Sequence, residues 1–453
     1  MPAASPRSLV AQAGWLSASA SHPCIDNRAT PTISFVRGPI PYCSPHIVSD
    51  LPDHIRFRTI RQAVETLPVL STSKLQGEPE WRRAYLLLAY LTHAYIWGGE
   101  KPKDVSLTTT ESLDTSLTSA QVLPPAISSP FLEVSSHLEL PPCATYAALN
   151  LWNYATSDPN ADLTDPDLLS VTASFTGTKD EEWFLMISVA LEAKGAQLIP
   201  LMLDTIHAVS IDDAQLACDS LLALSEGLKE LRKLLERMYE KNRPSVFYHQ
   251  LRPLLAGSKN MASAGLPNGV FYDIGDGQGQ WHQYSGGSNA QSSLIQTFDI
   301  FLGVEHIATG GMKTNDAVQP RAKNGFMQEM RNYMPGPHRR FLEMLTRVSN
   351  VRAYALSHKA NSPIRDAYNA AVMSLGVFRD SHIQIVTRYI IMAAKAKPPT
   401  NESTQVNLAT STTTHMRDKN EKLTGGIHGT GGTDLIPFLK QTRDTTKATA
   451  SYD

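Results

Sequence analysis

The chain has 453 residues, 42% of them hydrophobic and 19% charged, with a formal net charge of −2. That length exceeds one ordinary hydrophobic core, and the balance fits a soluble globular protein, with no electrostatic case for nucleic acid or an anionic membrane as partner. Cys24, Cys43, Cys143 and Cys218 stand far apart with no CxxC pair, so neither a zinc site nor a disulfide framework is indicated and a reducing compartment, the cytoplasm, is expected.

Residues 1–30 read as an extended or disordered tail. A targeting peptide is the lesser alternative, because Gln12 and several serines dilute its apolar stretch and Arg7 leaves it weakly basic. From Pro31 to Pro68 repeated prolines break any long element. Trp81 to Trp97 then spaces Tyr85, Leu88, Leu91, Tyr95 and Ile96 as a buried helix. Thr92 and His93 interrupt its apolar run, which is shorter than the ~20 residues a bilayer requires, and no transmembrane helix is expected. A Ser/Thr-rich connector from Ser106 to Gln121 reads as a loop.

Phe175 to Asp180 is a turn-rich boundary, dividing a small domain at 31–172 from a larger one at 173–453. The helix from Glu181 carries Phe184, Ser188 and Glu192 at helical spacing, which taken alone is a hydrophobic helix with one tolerated serine. Asp212 or Asp213 can cap the next helix, whose apolar stripe runs from Leu216 through Leu224 and Leu231 to Met238. Beyond it Arg252 sits beside Pro253 in an apolar run. Such an arginine is ordinarily a surface side chain with a buried stem, yet its planar fork is also the right tool for a carboxylate.

Tyr284 to Ser293 is a glycine loop entering a helix. It has neither the Walker lysine nor an evident preceding strand, so phosphate binding there is weakly supported. Met327 to His338 and Arg339 to Leu356 read as two helices divided at Pro335-Gly336-Pro337. Ser362 and Pro363 start a long helix that Pro398 and Pro399 stop. At ~1.5 Å per residue it would span roughly 50 Å and cross the core of a domain. His382 lies mid-way along its apolar face, between Phe378 and Ile385. A lone histidine there is either a satisfied core residue or a ligand offered to a metal or haem iron from a rigid support. Thr400 to Leu423 is polar, aperiodic and expected to be mobile. Gly429 to Asp434 then leads into a short last helix through Phe438 and Leu439, with Thr433 or Asp434 as its cap.

The run from Phe378 to Tyr389 around His382 closely resembles the proximal-histidine segment of the indoleamine 2,3-dioxygenase family, haem enzymes that open the indole ring of tryptophan. YIWGG at 95–99, FYHQLRPLLAG at 247–257, GGSNAQSS at 286–293, MRNYMPGPHR at 330–339, SHIQIVTRYI at 381–390 and GTGGTDLIPFL at 429–439 follow one another in family order. The chain is thereby identified as a fungal-like member. The resemblance implies an all-α fold, with a small N-terminal domain over a large helical domain that binds haem b. It also implies a further helix opening at Leu138 to Pro142 and carrying the aromatics Tyr146 and Trp152.

By the same resemblance His382 is the axial haem ligand, and Phe184 and Ser188 line the distal oxygen and indole pocket. Phe247 packs on the indole and Arg252 pairs with the substrate carboxylate. Tyr146 and the loop of Gly286, Gly287, Ser288 and Asn289 border the substrate and the haem edge, Thr430 closes over the bound amino acid, and Asp299 pairs with Arg379 beside the haem. Asn289 departs from the alanine of mammalian members. The implied reaction takes L-tryptophan and O2 to N-formyl-L-kynurenine, towards NAD synthesis, with a reductant keeping the haem ferrous and the protein acting as a monomer. Two rivals follow: a haem-binding paralogue with low turnover or another indole as substrate, suggested by Asn289, and a helical interaction protein that kept only the scaffold.

Overall fold

The computed structural model describes residues 45–99, 121–306, 325–360, 362–396, 429 and 435–452. The N-terminal tail, the connector from Ser106, the polar tract from Thr400 and Thr430 with its flanking signature lie outside them. Among the described residues the protein is helical, with two small sheets.

After three short helical turns between residues 45 and 65 comes α1, Glu78–Trp97, in which every residue from Leu88 to Ile96 is buried. Strand β1 is Val122–Leu123, and α2 is Pro125–Leu138. The expected helix opening at Leu138 is instead a helix end: Glu139 takes a left-handed conformation, φ 55°, and stops α2. Tyr146 then enters a π turn, Ala147–Leu151. Strands β2, Ala155–Thr156, and β3, Leu169–Ser170, form an antiparallel pair.

Helix α3, Lys179–Ala196, starts two residues before the sequence placed it. Thr178 is its cap, accepting from Glu181 N at 3.2 Å, and the buried Glu181 carboxylate reaches back to the Phe175 and Thr176 amides. Thr178 thus caps the helix, while Glu181 ties its first turn to the loop before the cap rather than to the Thr178 amide, which donates to the Thr176 hydroxyl. Helix α4 is Ile199–Ser210 and α5 is Ala214–Glu236. Asp213 is the cap of α5, accepting from Leu216 N at 3.0 Å, while Asp212 is left-handed at φ 57° and accepts from the Tyr354 hydroxyl. The stretch Lys179–Ser210 is long and apolar enough to cross a membrane by composition, but 56% of its most apolar window is buried inside the protein, as in a core helix.

Strands β4, Val270–Gly275, and β5, Gln278–His282, make an antiparallel hairpin immediately before the glycine loop, and β1 joins β4 in parallel. The sequence reading missed this hairpin. Asp276-Gly277, with φ of 53° and 71°, is the turn signal that marks it. Helix α6 is Ser293–Leu302, capped by Ser292. In place of two helices divided once, the next segment has a short turn at Phe326–Met330, α7 at Gly336–Val348 and α8 at Val351–Ser357.

Helix α9, Pro363–Val386, is the central support. Ser362 occupies its cap position but makes no side-chain cap bond, and its hydroxyl is buried without a partner, so Pro363 at the first helical position sets the start. The long helix runs on beyond Val386 through a π turn, Thr387–Met392, and a last α-helical turn, Ala393–Lys395, close to where Pro398 and Pro399 place its stop. Thr387 donates back to the Ile383 carbonyl at 2.8 Å, and the widened turn leaves both Tyr389 and Ile390 buried. On one side α9 packs along α5, with Ser225 and Ser374 hydroxyls 2.9 Å apart. On the other, α10, Leu435–Lys447, is tied to it by Arg443 and Lys447 on Asp380.

Candidate active site

Side chains of α3, α5, α6, α9 and α10 and the glycine loop line a cavity of about 250 Å³. His382, Arg379, Phe184, Ser188, Phe247 and Arg252 all line it. Residues spread over about two hundred positions of sequence thus meet in one place, because α9 presents one face to α3 across the gap.

Two buried-helix histidines in this protein have contrasting settings. His93 is buried with both ring nitrogens engaged: Nδ1 donates to the Leu254 carbonyl at 2.9 Å and Nε2 accepts from Ala144 N at 3.0 Å. Its role is to pin α1 to two loops. His382 faces the cavity, and no described residue hydrogen-bonds either of its nitrogens. Burial, with a further push from Arg379 one turn earlier, lowers its pKa to about 4. It is therefore a neutral imidazole at pH 7, the form that ligates a metal.

Arg379 is buried, and its Nη2 donates to Asp299 Oδ1 and Oδ2 at 2.7 and 2.8 Å; Nη1 bonds the Thr446 hydroxyl of α10. His306 Nε2 lies 2.8 Å from Asp299 Oδ2. Burial alone would raise the Asp299 carboxyl, but Arg379 and His306 overcome it and hold the group below its ordinary value. The hydrogen bonds of this pair run to α10 and to His306, not to the His382 ring.

Across the cavity, Phe184 and Phe247 rings lie 4.9 Å apart at 51°, and Phe247 meets Tyr389 edge-on at 5.9 Å. Phe247 opens a π turn, Phe247–Leu251, that ends at Arg252. The Arg252 guanidinium is only 3% exposed, and burial lowers its pKa to about 10, so it remains a cation in an apolar wall. Ser188 bonds weakly back to the Phe184 carbonyl at 3.4 Å. Gly287 closes against Leu149 and the Ala144 carbonyl, where a Cβ would stand 2.3 and 3.2 Å away. Ser288 and the exposed Asn289 complete this wall, and Gly429 reaches it from the C-terminal side. Gly286 is not among the residues that line the cavity: it sits behind the loop, packed on backbone, where a Cβ would stand 2.2 Å from the Leu255 carbonyl.

Glu192 went unassigned in the sequence reading. It lines the cavity one turn after Ser188 and accepts hydrogen bonds from the Tyr146 hydroxyl at 3.0 Å and the Ser292 hydroxyl at 2.6 Å. The i, i+4 spacing from Phe184 and Ser188 was the signal available.

The family profile for indoleamine 2,3-dioxygenase matches residues 43–449. The chain is 41% identical over 402 residues to indoleamine 2,3-dioxygenase qulI of Penicillium citrinum, covering 88% of this chain and 80% of the relative. It is 38% identical over 422 residues to the indoleamine 2,3-dioxygenase of Saccharomyces cerevisiae, covering 89% and 86%. To 6-hydroxytryptophan 2,3-dioxygenase fscD of Fusarium equiseti it is 33% identical over 401 residues, covering 88% of each. The chain belongs to the indoleamine 2,3-dioxygenase family.

Membership makes it an oxidoreductase of the indole 2,3-dioxygenase type, in a family that depends on haem. The cavity fits that group on its own terms. One imidazole to which no described residue hydrogen-bonds projects from the rigid helix α9 between Phe378 and Ile385, in a cavity that apolar side chains of α5 and α10 also line. His382 would hold the iron, and Arg379, whose guanidinium is already paired with Asp299, borders the same wall.

Proposed function

We propose that this member of the family adds both atoms of O2 across the C2–C3 bond of L-tryptophan to give N-formyl-L-kynurenine. The observation that supports this best is the pairing, in one apolar cavity, of an unengaged neutral imidazole at His382 with a desolvated guanidinium at Arg252. Haem b, when bound through His382 and kept ferrous by a reductant, supplies the centre at which O2 is activated. The chain's own contribution is placement. Arg252 pairs with the amino-acid carboxylate, and the Phe184 and Phe247 rings grip the indole face. The apolar wall excludes water while the C2–C3 edge is held in line with oxygen. Thr430, outside the described residues, is proposed to meet the substrate from the C-terminal loop.

We further propose a cytoplasmic enzyme whose product feeds NAD synthesis; among the described residues Cys143 and Cys218 are free thiols, which agrees with a reducing compartment. A second reading, a ring-substituted indole as the preferred substrate, is favoured by the polar Asn289 at the cavity wall and by the similarity to the 6-hydroxytryptophan 2,3-dioxygenase of Fusarium equiseti. The test is turnover by haem-loaded protein with a reductant in air, tryptophan and 6-hydroxytryptophan being offered in parallel. Formation of N-formylkynurenine that vanishes in both His382→Ala and Arg252→Leu supports the proposal. Haem binding with no product from tryptophan overturns it.

A further inference from the structure

Glu192 is a carboxyl with an unusual setting. It is 3% exposed, has no ion-pair partner among the described residues, and lies in the wall of the cavity. Its Oε1 takes both hydrogen bonds, and the donors come from two other segments of the wall. Tyr146 leads into the first π turn, and its amide N–H donates to Gln291 Oε1 at 2.8 Å. Ser292 ends the glycine loop and caps α6 through Ile295 N at 3.3 Å. One carboxyl oxygen therefore fastens three walls together. Among the described residues Oε2 has no hydrogen-bond partner, and the side chain lines the cavity.

We propose that Glu192 is a positioning residue that works in its neutral form: it holds Tyr146 and the glycine loop against α3, and loss of its proton weakens amino-acid binding. This rests on the reading of the cavity as an amino-acid site. With the proton on Oε2, Oε1 still accepts from Tyr146 and Ser292, and the O–H at Oε2 offers a donor to the guest. Without it, an uncompensated negative charge stands in an apolar wall beside a site for a carboxylate-bearing molecule, and it also repels an anionic cofactor. Of the titratable and charged groups around it, Tyr146 touches it from the π turn. Asp299 on α6 is neutralised by Arg379, and Arg252, Arg379 and His382 share the cavity without pairing with it. Burial raises the Glu192 carboxyl to about 7, with the two hydrogen bonds pulling the other way, so the change falls in an accessible range.

The sign follows from linkage. A guest that prefers the protonated form raises the carboxyl's pKa further and takes up a proton on binding. Affinity is then constant below the free-protein value and falls above it by up to about tenfold per pH unit.

The experiment is the dissociation constant of L-tryptophan for the haem-loaded protein, read from haem absorbance at intervals from about pH 6 to about pH 8.5, in parent, Glu192→Gln and Glu192→Leu. Glutamine keeps an oxygen for Tyr146 and Ser292 and cannot titrate. The expected result is a parent that weakens on the order of tenfold above neutrality, a Gln variant that is flat with pH near the parent's acid affinity, and a Leu variant weakened throughout. A flat parent, or the same slope in the Gln variant, overturns the role of Glu192 while leaving tryptophan as ligand. Absence of any spectral response to tryptophan at every pH in the parent overturns the amino-acid site itself, and the role with it. Should the Leu variant not fold, the parent and Gln profiles decide.

Discussion

Replacing Asp299 by alanine is the sharpest test of how His382 is supported. Among the described residues Asp299 is the one carboxylate paired with Arg379, whose side chain is 9% exposed against 5% for Asp299. Removing it strands a buried guanidinium, a loss of roughly 3–5 kcal/mol when one member of a buried pair is deleted. With about 2.1 cal/mol/K of unfolding entropy per residue, a chain of this length loses about 1 °C of Tm per kcal/mol, giving a fall of roughly 3–5 °C. Arg379→Met added to Asp299→Ala removes the stranded charge and is expected to recover much of that loss. The pH dependence has a definite sign. Because the Asp299 carboxyl is held below its ordinary value, its contribution is present above the unfolded carboxylate range and is lost as the pH falls through the folded-state value, so parent and variant converge in acid. Calorimetric Tm values for the haem-free protein at neutral and acid pH measure all of this. A fall of under about 1 °C, or a double variant no better than the single, would show that the ion pair does not support α9.

Three further outcomes follow from the site. His382→Ala should lose the haem absorbance band of the loaded protein, and free imidazole should restore it, because α9 would retain a hole of the right shape; retained haem in the variant would move the ligand elsewhere. Arg252→Leu should raise KM for tryptophan about 30-fold or more with a smaller change in kcat, and a KM within threefold of the parent would remove the carboxylate clamp from Arg252. Thr178→Ala, which deletes the cap of α3, should cost about 1 kcal/mol, visible as a shift of about 1 °C in Tm with haem content intact.

The parts of this protein that the sequence made readable are those where the physical cause is local. The spacing of Phe378, His382 and Ile385 marked one face of a long helix, and Asp213 had the chemistry of a cap. The positions of Phe184, Ser188 and Glu192 on one face of α3 followed from periodicity too, although nothing in that spacing said a cavity lay beside them. What stayed hidden depends on tertiary packing. Ser362 has the right side chain for a cap, yet its hydroxyl is buried without using it. The three π turns, at 147–151, 247–251 and 387–392, each shape the cavity wall, and an inserted residue in a helical ladder leaves no periodic trace in sequence. Gly286 and Gly287 look alike in sequence, but only the second borders the cavity, since the first is consumed by the backbone of Leu255 to Gly257. His93 and His382 are the clearest case: two histidines on apolar helix faces, told apart only by whether other segments reach their nitrogens.

The most direct measurement is isotopic. Haem-loaded protein, a reductant and L-tryptophan are supplied with ¹⁸O-labelled O2 in unlabelled water, and the product is weighed by mass spectrometry at early times. N-formylkynurenine carrying both labelled atoms is the predicted result, and its yield should collapse in Arg252→Leu. Product carrying a single labelled atom, or no N-formylkynurenine from a fully haem-loaded and reduced protein, would contradict a tryptophan dioxygenase at this cavity.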